Sequence, residues 1–440
     1  MAGASTTLLD SQPAGDNSAF ARWTAGRNVA SFGTNDGIPP LAFQNWHKFK
    51  EAFTPEFVAY AISESSGRVD SCFDPFGGSG TTALTCQMLG IDSVTTEVNP
   101  FLADVIRAKT TSYNIDRVTT ALAEVRRRAL RFPQSGEEYF HGLPQTFTPP
   151  GRGGRWVFDL PVLDALASVL AAIDKIPDID VRRLFRSLIG GILVDVSNTT
   201  VNGKGRRYRR GKGFGLRDGS EVHTKFAAQA DFALRDIIHY ADRPRPSTIV
   251  TTADARTFDP GREIDLSVFS PPYPNSFDYT DVYNIELWML GYLNNSAANQ
   301  TLRRETLSSH VQLLRDYPPP PEGSKSLESA LGRLRHEQSR LWSPWIPSML
   351  GAYFTDLMKV LNPLRSRLTP GGSVWLVVGD SRYADVTVPV ARILGELAEA
   401  HGWCVTRTQP IRHMRSSAQQ GGRAELPESL VVLRPASTQS

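Results

Sequence analysis

The sequence predicts an α/β fold built on a doubly wound sheet, and two stretches carry that expectation. Val69-Asp70-Ser71-Cys72-Phe73 is a short apolar run that stops at Asp74-Pro75-Phe76-Gly77-Gly78-Ser79-Gly80-Thr81-Thr82. Asp265-Leu266-Ser267-Val268-Phe269 is a second such run, and it stops at Ser270-Pro271-Pro272-Tyr273. Runs of this kind suit parallel strands buried on both faces. Ligands in such sheets bind beyond the carboxyl ends of the strands, so both turns point to one crevice.

The elements follow in order. Residues 1–40 are rich in Ala, Ser, Thr, Gly and Asp, and read as a disordered tail. Residues 41–115 form the first half of the catalytic domain. There Thr82 to Leu89 has helical spacing, and Ser93-Val94-Thr95-Thr96 is a strand ending in Glu97. Residues 116–245 read as an insertion. It opens on an amphipathic helix over 116–130 (Leu122, Val125, Ala129), and 161–198 is a helical hairpin by its apolar period. Residues 246–293 carry the second motif. Residues 294–345 are a polar, Arg-rich second insertion with a Pro318–Pro321 turn and a helix from about Ser326 to Trp342, placed to cap the site or read a target. Residues 346–435 close the domain, with a strand over 373–380, a helix over 389–401, and strands from 402 and over 428–433 that complete seven.

Composition excludes several classes. At 440 residues and a net charge of +3 the chain has room for a large core, and any nucleic-acid signal must be local. Three cysteines without a Cys-x-x-Cys pair argue against a disulfide scaffold or a zinc cluster and fit a reducing cytoplasm. The eight histidines show no metal-ligand spacing. No long apolar run predicts a membrane span, and no secretion signal opens the chain.

The local charge signal is Asn202 to Arg217. Lys204, Arg206, Arg207, Arg209, Arg210 and Lys212 fall there with Tyr208 and Phe214 and no acid, among glycines that would keep the loop mobile. Such a loop suits phosphate contacts, Arg reaching guanine edges and aromatics stacking on bases.

The first turn suits a cofactor. Gly78 and Gly80 can take positive φ and admit a ligand close to the backbone, while free N–H groups open the next helix. Glu97 is placed to bind two ribose hydroxyls. NAD, a nucleoside triphosphate and S-adenosylmethionine (SAM) all fit that outline. A phosphate-binding loop needs Lys where this chain has Thr81, and the third glycine of the dinucleotide pattern falls at Ala83. The second turn suits a different task. Its prolines fix a stiff loop offering the Ser270 hydroxyl, the Pro271 carbonyl and the Tyr273 ring. The exocyclic amino group of cytosine or adenine is a poor nucleophile because its lone pair is delocalised. Acceptors on its N–H bonds draw it toward tetrahedral geometry and stabilise the charge that develops. An aromatic ring can stack on the base, which must leave a helix to reach such a pocket.

Taken together these motifs resemble the SAM-dependent DNA amino-methyltransferases of restriction-modification systems. The similarity covers roughly 41–110 and 250–293, more loosely 350–434. It implies a Rossmann-like SAM methyltransferase fold: a mixed seven-stranded sheet, antiparallel near one end, with helical and basic-loop insertions. It implies SAM as cofactor, held by Thr54, Asp74, Phe76, Gly78, Ser79, Gly80, Thr81, Glu97 and Asn99, with Asp254 at the adenine. The segment from His47-Lys48-Phe49 to Thr54 resembles the motif that packs beside the methionine part. It implies catalysis by Ser270, Pro271, Pro272 and Tyr273. Ser at the first position is commoner in N4-cytosine enzymes and Asp in N6-adenine enzymes, so cytosine N4 is the expected target. N6-adenine, an RNA base, or a catalytically inactive nucleic-acid-binding subunit are the alternatives. The implied partner is DNA, and any restriction activity would lie on a separate restriction or defence-system subunit.

Overall fold

Strands β1 (Ser71–Asp74) and β6 (Ile264–Phe269) lie side by side at the middle of a seven-stranded sheet in the computed structural model. The structure describes residues 19–25, 27, 29, 32–34, 40–49, 52–202, 205–209, 214–215, 217–415 and 425–436. The remaining strands are β2 (Asp92–Thr96), β3 (Thr199–Asn202), β4 (Gly205–Tyr208), β5 (Thr248–Thr251), β7 (Leu368–Gly379), β8 (Ser381–Tyr383), β9 (Val386–Val388), β10 (Trp403–Arg415) and β11 (Glu425–Pro435). The sheet order is β10-β11-β7-β6-β1-β2-β5. Every pair from β7 to β5 is parallel, and β11 runs antiparallel to both of its neighbours. This is the mixed sheet expected.

The order decides where the site lies. The chain builds outward from β1 through β2 to β5, then returns to the other side of β1 as β6. Two neighbouring parallel strands thus send their connections to opposite faces of the sheet, and a crevice opens beyond their carboxyl ends. Both motifs begin there. The two strands are also cross-tied: Ser267 Oγ donates to the Phe73 carbonyl at 2.9 Å, and Cys72 pairs with Leu266.

Both faces of the sheet are covered, one by helices Pro55–Ser63 and Thr81–Leu89, which pack on Cys72, Leu266, Val268 and Trp375, with the insertion layered outside them. The insertion supplies helices Ile115–Arg131, Leu160–Ile173, Ile179–Val196 and Ser220–His239, so the expected amphipathic helix and helical hairpin are present. Their apolar sides share a core with helix Pro100–Thr110. Asp236 fixes this layer to the segment before the first motif, accepting from Phe43 N at 2.8 Å and Trp46 Nε1 at 2.9 Å. The opposite face is covered mainly by helices Lys325–His336, Ile346–Arg365 and Val390–Ala400. Among the described residues, no helix is long and apolar enough to cross a membrane.

Three expectations need correction. The tail is not wholly unstructured: Ala19–Thr24 is a helix whose Phe20 and Trp23 are buried, and Phe32 stacks on Tyr60 at 5.4 Å. A few aromatic anchors recover enough apolar area to order a polar stretch, which averaged composition hides. Residues 1–18 lie outside the described residues. The helix expected to reach Trp342 ends at His336 and gives way to a 3-10 turn, Gln338–Arg340. The basic loop is in part a hairpin, β3 pairing antiparallel with β4.

Candidate active site

The turn after β1 is held from behind. Asp74 Oδ1 accepts from Phe76 N at 2.9 Å, closing the turn, while Gly77 N donates to the Thr96 carbonyl at 2.9 Å. Gly78 has φ +53, and a Cβ there would come 3.1 Å from the Phe49 ring. A larger residue would therefore be strained and crowded at once. Its N–H donates to Glu97 Oε2 at 2.8 Å, tying the first turn to the end of β2. Lys109 Nζ is buried and donates to the Ser79 carbonyl at 2.8 Å. Burial lowers that ammonium to a pKa of about 7.

Glu97 is the second carboxylate of the site. Its Oε1 accepts from Asn99 N at 2.9 Å. Asn99 itself caps helix Pro100–Thr110 by accepting from Phe101 and Leu102 N–H groups. An ionised carboxylate has about four acceptor sites. Two are used by backbone N–H groups, so two remain for a ligand. Burial raises Asp74 to about 7 against hydrogen bonds from Thr82 and Phe76. Glu97 is raised to about 7, chiefly by burial and further by the nearby Asp74, against the Asn99 and Gly78 N–H groups. Two buried carboxylates of this kind favour a ligand that brings positive charge and hydroxyl donors.

Across the crevice stands the loop after β6. Ser270 Oγ lies 3.1 Å from Tyr273 Oη, and Tyr273 Oη donates to Glu428 Oε1 at 2.7 Å. Glu428 opens the central part of β11, is 1 % exposed, and pairs with Arg412 of β10. Burial, then the Glu428 charge, pushes the Tyr273 phenol well above its usual range. Gly379 makes room for the ring, since a Cβ there would come within 2.8 Å of it. The ring is therefore fixed at its hydroxyl and packed on one side by backbone. Neither Glu428 nor Arg412 was expected. The one signal available was an acid just before the apolar run Leu430 to Leu433, and such an acid has to find a partner if buried.

Both motifs line one cavity of about 580 Å³, within the range usual for small-molecule sites. Asp74, Phe76, Gly78, Ser79, Thr81, Glu97, Asn99 and Ser270 to Tyr273 are brought together there. Phe49 adds a wall, stacked on Tyr283 with ring planes 5° apart. Glu305 to Leu307, Ser309 and His310 close another side, so the second insertion caps the site.

Three expected cofactor residues do not line the cavity. Thr54 precedes helix Pro55–Ser63 with its side chain fully buried, and Ala52 and Phe53 line the wall instead. Gly80, at φ +85, starts helix Thr81–Leu89 and packs against Ile106. Asp254 gives its carboxylate to Arg256, while Ala253 and Ala255 reach the cavity. In each case neighbouring residues line the cavity, while Thr54 and Asp254 turn their side chains into the protein and Gly80 lies behind the turn.

The hairpin β3–β4 contacts the short helix Tyr279–Val282 that follows the loop after β6. Alternation along β4 separates Arg206 from Arg207, and Arg209 follows the strand. Arg206 lies over the Phe147 ring at 5.6 Å, and Arg209 Nε donates to the Ser197 carbonyl at 3.1 Å. Arg207, between them, is exposed. Arg206 and Arg209 are thus engaged with the protein, a correction to their reading as free phosphate contacts. Lys204, Arg210 and Lys212 lie outside the described residues.

A family model described as DNA methylase matches residues 23–108. The chain is 25 % identical to the Type II methyltransferase M.BsoBI of Geobacillus stearothermophilus, over 93 % of this chain and 88 % of that protein. It is also 25 % identical to the Type II methyltransferase M.AvaI of Nostoc sp., over 93 % of this chain and 89 % of that protein. A shorter likeness, 30 % identical over 21 % of this chain and 18 % of the relative, is to the Type II methyltransferase M.MjaII of Methanocaldococcus jannaschii.

Proposed function

We propose that the chain is a SAM-dependent DNA amino-methyltransferase that methylates N4 of cytosine at a specific DNA site, a reading its likeness to the DNA methylase family model and to Type II methyltransferases supports. The observation that carries the reading is that Ser270-Pro-Pro-Tyr273 and the Asp74-to-Thr81 turn with Glu97 line a single cavity. SAM supplies an activated methyl group when bound. The residues present fit it. Glu97 keeps acceptor capacity for two ribose hydroxyls, and the buried carboxylates complement its positive charges. The Thr81 hydroxyl is buried at the cavity without a protein partner among the described residues. Ala253 and Ala255 line a backbone edge for the adenine ring, a role the Asp254 side chain leaves to them.

The work left to the chain is positioning and electrostatics. The Ser270 Oγ and the Pro271 carbonyl accept from the amino N–H groups of a base drawn out of its stack. Preference for cytosine rests on the resemblance, since Ser at the position of Ser270 is commoner in N4-cytosine enzymes and Asp in N6-adenine enzymes. Mass spectrometry of nucleosides from DNA of cells expressing the protein tests it. N4-methylcytosine is expected. N6-methyladenine would replace the base and keep the mechanism, and unmodified DNA would overturn the reading. Any restriction activity would then belong to a separate chain.

The hairpin beside the site is our candidate for contact with the DNA backbone. Its arginines should separate by experiment. Arg207→Ala should reduce the salt slope of DNA binding by about 0.9, the value for one phosphate contact, and leave the melting temperature unchanged. Arg209→Ala should lower the melting temperature instead, because it strips a partly buried hydrogen bond from the hairpin base. An unaltered slope for Arg207→Ala would make the hairpin a solvated surface.

A further inference from the structure

We propose that Glu428, held by Arg412, sets the direction of a hydroxyl chain through Tyr273 and so fixes Ser270 Oγ as a hydrogen-bond acceptor toward the substrate amino group. This rests on the reading of Ser270 as the residue that meets that group. The argument is a count of protons. A carboxylate paired with Arg412 accepts and does not donate. The proton in its 2.7 Å contact with Tyr273 is therefore the phenol's. The phenol has no second proton, so the 3.1 Å contact between Tyr273 Oη and Ser270 Oγ is made with the Ser270 proton. Ser270 Oγ is left with lone pairs alone on its cavity side.

That polarity decides what the cavity accepts. An amino group offers N–H donors to Ser270 Oγ. A keto oxygen in the same place would set lone pair against lone pair. The chain therefore selects amino over keto bases and holds the acceptor where charge develops on the nitrogen. Glu428 is a positioning residue, since Tyr273 and Ser270 stand between it and the substrate. Its burial at 1 % exposure, beside the apolar run Leu430 to Leu433, is what such a role requires.

Glu428→Gln tests the polarity with little change of shape. Arg412 would hold the amide oxygen, the amide N–H would face Tyr273, and the chain would reverse to leave Ser270 donating. Tyr273→Phe breaks the same chain by removing one oxygen. Each should lower kcat about tenfold, the order for losing a hydrogen bond to a charged group, with KM for SAM unchanged. The decisive readout is the same pair of substitutions in a Ser270→Ala background, where they should cost nothing further, because the chain then ends on no acceptor. An equal loss in both backgrounds, or wild-type kcat for Glu428→Gln and Tyr273→Phe, would overturn the proposal while leaving Ser270 in its role. Should Glu428→Gln fail to fold, Tyr273→Phe carries the test alone. Wild-type turnover by Ser270→Ala itself would instead sink the reading on which the proposal rests.

Discussion

Ser270→Ala should lower turnover on the order of a hundredfold, the cost usual for removing one pre-positioned hydrogen-bonding group at a developing charge. SAM affinity should stay at the wild-type value, because the groups assigned to the cofactor are others, Glu97 and the Asp74-to-Thr81 turn. The change leaves Tyr273 tied to Glu428, so the loop keeps its anchor. Loss of the 3.1 Å contact to Tyr273 should cost the fold only about 1 kcal/mol. Single-turnover methylation of DNA with saturating SAM separates these effects from product release. A variant that methylates at the wild-type rate would remove Ser270 from the mechanism. A variant that no longer binds SAM would show the loop to be part of the cofactor site.

Much of this site was legible because its constraints are local. Glycines at positive φ and two successive prolines restrict the backbone wherever they occur, so the two turns and the strands before them could be read residue by residue. Crossing the sheet was legible too, since parallel strands bring their carboxyl ends to one edge. Side-chain direction was not. Asp254 stands beside the cavity, yet Arg256 two residues on captures its carboxylate, and the Asp356–Arg256 pair holds that arrangement. Glu428 and Arg412 could not be found from any spacing, because they join the site through the register of β10 against β11. The arginines of the basic segment were counted as charge. Their strand alternation, which turns Arg206 onto Phe147 and leaves Arg207 exposed, was missed.

Glu97→Ala should weaken SAM binding by about 10- to 150-fold, the equivalent of about 1.5–3 kcal/mol for hydrogen bonds to a charged group. The wild-type protein should show why through pH. In the ligand-free protein, burial raises Glu97 from its ordinary 4.5 to about 7, so near neutral pH a large share of the carboxyl is protonated. Ribose hydroxyls donate to the ionised form, so binding favours proton release. Affinity should therefore fall as pH drops below about 7, approaching tenfold per unit for each proton released, and level off above that value. The sign for stability is the reverse. Between about 4.5 and 7 the folded, ligand-free chain holds a proton that the unfolded chain has lost. Its stability therefore declines as pH rises through that window, and bound SAM should flatten the decline. Asp74, also raised to about 7, acts in the same direction. Glu97→Ala should thus keep a shallower pH dependence rather than none. Titration calorimetry between pH 6 and 8, in buffers of different ionisation enthalpy, measures the affinity and the protons released together. Equal affinity for Glu97→Ala and the wild type, with no proton release in either, would move the ribose away from β2 and leave Glu97 as a tie between the two turns.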